Sequence, residues 1–113
     1  MKIINKTRNI ILAEEVIFAD NFFKRIKGLL GRDNFSKGQA LVIVPCNSVH
    51  SFFMRFSIEV IFLDRKNKVI KIISPFKPYR LSGIYLVAHI CIEFPLGSIK
   101  NSVFLGDTLE FSE

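Results

Sequence analysis

The chain has 113 residues, half of them apolar and 23% charged, with 16 Lys and Arg against 10 Asp and Glu for a net charge of +6. That apolar content excludes intrinsic disorder as the dominant state, and the longest apolar runs, about five residues, fall far below the roughly 20 that a membrane helix needs. The length fits one domain over residues 1–113. Two cysteines, Cys46 and Cys91, make neither a disulfide framework nor a CxxC pair. No signal-peptide core follows Met1-Lys2-Ile3-Ile4-Asn5, so the expected location is the cytoplasm, with reduced thiols. The basic balance is read first as a solvated surface and second as the footprint of an acidic partner.

Three short strands are expected first, around Ile3-Ile4, Ile10–Leu12 and Val16–Phe18, with Asn5 to Asn9 turning the chain between the first two. The period then changes. Asp20 is placed to cap a short helix over about residues 20–30. Its apolar positions are Phe22, Phe23, Ile26, Leu29 and Leu30, and Gly31 ends it. Strands dominate again from Ala40–Val44, which Pro45 stops, through Phe52–Phe56 and Ile58–Leu63. The polar turn Asp64 to Asn67 joins the last of these to Lys68–Ser74 as a hairpin. Pro75 and Pro78 imply an irregular loop over Ser74–Gly83, because proline donates no ladder bond. Tyr85–Phe94 is the longest strand expected, and Thr108–Phe111 the last. The sum is a mainly β (α+β) chain: a jelly-roll-like β-sandwich or squashed barrel carrying one short helix.

The segment Cys46-Asn47-Ser48-Val49-His50-Ser51-Phe52-Phe53-Met54 carries the most chemistry. A thiol, an imidazole and a thioether recur every four residues, a spacing that keeps them on one face of a strand or a helix. Such soft donors suit copper or zinc. Four residues of ideal strand span about 13 Å, however, too far to share one ion. The grouping resembles the Cys-His-Met loop of blue-copper proteins, but those sites need a second histidine, and His89 falls in an expected strand. No metal or other cofactor is therefore expected, with Cys46, His50 and Met54 the candidates if one binds. A Cys46–His50 nucleophile pair, oriented by Glu59 or Glu93, is the enzymatic alternative. Arg55 amid Phe53 and Phe56, and the run Phe76 to Arg80, interleave bases with aromatics as single-strand binders do. No RNP motif or GXXG loop accompanies them, which leaves nucleic-acid binding the weakest reading.

The string Cys46 to Phe56 continues with Ile58-Glu59-Val60 and Phe62-Leu63-Asp64. Lys77 to Arg80, Glu93 to Gly97 and Leu105-Gly106-Asp107 follow, and Lys27 to Arg32 precedes them. Together these resemble the bacterial branch of the domain of unknown function 192 family, over about residues 13–111. Glu59 stands where members usually carry Asp, and Ser57 where many carry Pro. The resemblance implies a compact, mostly β fold with a short helix and no established activity. The sequence thus leads to a non-catalytic ligand- or protein-binding or accessory module. Its candidate residues are Cys46, Ser48, His50, Met54, Arg55, Tyr79 and Arg80, on loops where binding residues collect. Its partner is an unspecified protein or small molecule, and a homodimer is compatible with the Phe-rich edges.

Overall fold

Eight strands make up the regular structure of the described residues, which in the computed structural model are 1–19, 35–52 and 54–113. They are β1 Lys2–Asn5, β2 Ile10–Ala13, β3 Glu15–Ala19, β4 Gln39–Ile43, β5 Ile58–Leu63, β6 Val69–Phe76, β7 Ile90–Pro95 and β8 Leu109–Ser112. The helix expected at residues 20–30 lies outside the described residues. Among those described, no helix is long and apolar enough to cross a membrane.

The strands form two sheets, a three-stranded antiparallel one in the order β2-β1-β8 and a five-stranded one in the order β3-β4-β7-β5-β6. The larger is antiparallel except where β3 pairs in parallel with β4. Neither closes on itself among the described residues, so the squashed-barrel alternative gives way to two layered sheets. β3 and β6 are left as edges of the larger sheet.

Alternation along the strands sorts the core into two layers. Ile3, Leu12 and Leu109 of the small sheet pack with Val42, Ile61, Ile92 and Phe94 of the large one, which makes the inter-sheet layer. Leu41, Ile43, Val60, Phe62 and Cys91 point the other way, into a second layer. β5 and β7 bury every residue, the near-continuous apolar pattern of strands covered on both faces. Phe62 and Phe94 are the largest of the fully buried side chains.

Three segments depart from the expectations. Phe52 and the stretch from Met54 to Phe56 form no strand, because the backbone around them bonds to another loop rather than to a sheet. The strand expected over Tyr85–Phe94 begins only at Ile90, and the irregular loop runs over residues 77–89 instead of 74–83. β6 continues through Pro75 to Phe76 because it is an edge strand. The register also slips between Ile58 and Val60, leaving Ser74 and Pro75 in a bulge opposite Glu59.

Two buried carboxylates tie this frame together. Glu59 accepts hydrogen bonds from the Ser74 hydroxyl in the bulge and from the Ile99 amide at 3.0 Å. Asp107 Oδ2 accepts from Arg8 Nε at 2.7 Å, Asn5 Nδ2 at 2.9 Å and the Phe104 amide at 3.0 Å. The Arg8 guanidinium also sits 4.2 Å from the centroid of the Phe104 ring. Burial pushes the Asp107 carboxyl up, but the bonds from Arg8, Asn5 and Phe104 and the Arg8 charge outweigh it and hold the group below its ordinary value. A carboxyl depressed in the folded state stabilises above its unfolded pKa of about 3.9 and loses that contribution as pH falls through the folded value. Asp107→Asn is therefore expected to cost about 1–3 kcal/mol at neutral pH. It should also flatten the acid limb of stability measured by urea unfolding below about pH 4. An acid limb as steep as in the unmodified chain would remove Asp107 as its source.

Candidate functional site

Among the described residues, no sheet lies above the second apolar layer, and two loops roof it instead, residues 44–52 with 54–57, and residues 77–89. Val49 and Met54 from the first loop are buried there, with Cys46, Phe56, Tyr85 and Ala88 packed alongside. The Tyr85 ring tilts against Phe62 of β5, with centroids 4.8 Å apart. Backbone groups taken out of water need partners, and these two loops supply them to each other. The Tyr85 amide bonds the Asn47 carbonyl at 2.9 Å, and the Ser82 amide bonds the Val49 carbonyl at 2.9 Å. His50 and Leu81 form an antiparallel bridge.

Ser51, fully buried, is the clasp of this ribbon. Its amide donates to the Arg80 carbonyl at 2.9 Å, and its hydroxyl donates to the Lys77 carbonyl. The same hydroxyl accepts the Arg80 amide at 2.9 Å, and the Ser51 carbonyl accepts the Tyr79 amide at 3.0 Å. Tyr79 is held at φ 61°, a left-handed conformation that a bulky residue adopts only when its surroundings impose it. Tyr79 is 64% exposed, and Leu81 two residues on is 70% exposed.

The structure separates the seven candidates. His50, Tyr79 and Arg80 come together at the Ser51 end of the ribbon, where the His50 ring stacks on Phe52 with centroids 5.1 Å apart. Arg55 and Ser48 are exposed. Met54 is buried in the core layer. Cys46 is half-buried at the other end of the ribbon, where its thiol donates to the Ser48 carbonyl at 3.1 Å. The one-face argument for Cys46, His50 and Met54 lapses, since the segment is neither strand nor helix. Among the described residues, no group of three or more His, Cys, Asp and Glu side chains is placed to hold a metal ion.

Cys46 has a different neighbour from the one expected. Its amide bonds the His89 carbonyl at 2.9 Å, and Cys46, Asn47, Arg65 and His89 border one cleft of about 340 Å³. Glu59 faces the inter-sheet layer, on the opposite side of the sheet from the roof, and so does not orient His50. Glu93 is buried and, by alternation with Ile92 and Phe94, points to the roofed face.

The profile of the family DUF192, described as Uncharacterized ACR, matches residues 3–111. The chain belongs to the DUF192 family. A UPF0127 protein of Pyrococcus furiosus is 36% identical over 115 residues, covering 96% of this chain and 97% of that protein. Another from Pyrococcus horikoshii is 39% identical over 108 residues, covering 89% of each. These relatives are archaeal, and nothing in them places this DUF192 chain in the bacterial branch expected from the Cys46–Met54 string. Among solved structures, a protein of unknown function from Novosphingobium aromaticivorans superposes with a TM-score of 0.80 at 14% identity, over 97% of this chain and 82% of that one. A proposed transcription regulator from Sinorhizobium meliloti gives a TM-score of 0.77 at 16% identity, over 96% and 89%. At such identities the likeness shows the shared fold alone.

Ser51 was missed as a position that shapes the site. A serine between His50 and Phe52 carries no motif, and only its bonds to the backbone of residues 77–80 identify it, two of them made by its hydroxyl with the Lys77 carbonyl and the Arg80 amide. Ser51→Ala removes the hydroxyl from two of them and is expected to cost about 1–3 kcal/mol. It should also speed proteolytic cutting within residues 77–89. Ser48→Ala, on an exposed side chain, should stay within about 0.5 kcal/mol. Equal effects of the two on thermal unfolding would mean that Ser51 is not what closes the ribbon.

Proposed function

We propose that this DUF192 chain is a non-catalytic binding module of the cytoplasm, with its recognition face at the Ser51 end of the loop ribbon. The observation that carries this reading is Tyr79. A left-handed, over-determined backbone presents this exposed side chain two residues from the exposed Leu81. Aromatic and aliphatic side chains displayed together on a clamped loop are a recognition surface rather than leftover core. Arg55 and Arg80, both exposed, add cationic donors for an acidic group on the partner. A protein or small molecule with an apolar patch and a carboxylate or phosphate fits this face.

Affinity capture with the intact chain, set beside His50→Ala, Arg55→Ala and Tyr79→Ala, tests the assignment. Each variant should lose the captured partner while its stability stays within about 1 kcal/mol of the parent chain. Stability falling in step with capture in all three would show that the face is part of the core instead.

One observation favours a second reading. Cys46 shares its cleft with His89 and Arg65, cationic or basic groups of the kind that turn a thiol into a nucleophile. A thiol-dependent enzyme would then use Cys46 with His89 rather than with His50. Iodoacetamide should label Cys46 faster than a free thiol at neutral pH, and His89→Ala should slow it. Labelling at the ordinary rate in both proteins would dismiss this reading.

A further inference from the structure

The opposite end of the same loop carries a surface that the recognition face does not use. Ile84, Leu86 and Val87 are 69%, 86% and 70% exposed, so three aliphatic side chains stand in water within four residues. Two contiguous clefts, of about 340 and 500 Å³, border this tip and share Arg65, Leu86 and Ala88. Their far wall is the β5–β6 turn, with Arg65, Lys66 and Lys68 all exposed. The acidic member of that turn, Asp64, has its Oδ1 occupied by the Lys66 and Lys68 amides at 2.8 and 3.0 Å. Lys71 Nζ lies 5.9 Å from the Tyr85 ring at the base of the tip.

We infer that the Ile84–Val87 tip and the Arg65–Lys68 turn together dock this protein on an anionic membrane surface. An aliphatic apex gains by entering the acyl boundary, and Lys and Arg beside it gain from anionic headgroups; each contribution alone is weak. The charge is complementary to the cytoplasmic leaflet and matches the chain's net +6. Nucleic acid would satisfy the bases but leave Leu86 and Val87 without a role, since stacking on bases needs aromatic rings and the tip presents aliphatic ones.

Sedimentation with vesicles tests this. The whole chain should pellet with vesicles of equal parts phosphatidylglycerol and phosphatidylcholine and not with phosphatidylcholine alone, and high salt should release it. Leu86→Asp, at a side chain free of the core, should lower the partition coefficient at least about tenfold, and so should the combined Arg65→Ala, Lys66→Ala, Lys68→Ala variant. Tyr79→Ala should bind vesicles like the parent chain, which keeps this surface distinct from the recognition face. Absence of binding to the anionic vesicles would overturn the inference. So would binding that survives Leu86→Asp, or a single-stranded oligonucleotide that binds through the same bases without regard to Leu86.

Discussion

The structure is governed by a sheet that touches water on neither face at its centre. β5 and β7 bury all their residues, so each side of the large sheet must be covered by something. The small sheet covers one side. On the other, the described residues that cover it are loops, and loops over an apolar layer must bring their own hydrogen-bond partners. The pairing of residues 47–51 with 79–85 answers that need. The ribbon is thus a lid of the core that carries its own backbone hydrogen-bond partners.

Buried polar groups hold the two ends of this arrangement. Glu59 occupies the space opened by the Ser74–Pro75 bulge and fixes the chain at Ile99. Asp107 joins the first turn of the chain to its last, through Asn5 and Arg8 on one side and Phe104 on the other. In each case a buried carboxyl group serves more than one hydrogen-bond partner, which is how a buried polar group becomes tolerable. These residues define the frame, and the ribbon is fitted over it.

Most strands were legible in the sequence because short alternating or apolar runs bounded by turn residues have few other solutions. The family, too, was legible from its ordered strings. The parallel pairing of β3 with β4 was invisible, since partner and direction are set by topology rather than by local pattern. Tyr85 to Ala88 read as strand because an apolar run looks alike whether it enters a sheet or stands in solvent. Pro75 read as a stop because its effect depends on whether the strand is an edge. The four-residue spacing of Cys46, His50 and Met54 had meaning only in a regular element. The ribbon instead sends Met54 inward, leaves His50 against Phe52, and sets Cys46 beside His89.

The bulge in β6 bears on self-association. An open sheet edge is a template onto which another copy can add a strand. On β6 the ladder is interrupted at Ser74 and Pro75, where proline offers no donor, and Lys71 projects a charge from the strand. A continuous run of unpaired backbone is thereby broken on that side. Among the described strands the remaining edge of the large sheet is β3, with Phe18 half in solvent and tilted against Phe111. Among the described strands of the large sheet, strand addition is thus blunted at the β6 rim and left to the β3 rim, while the small sheet keeps rims of its own at β2 and β8.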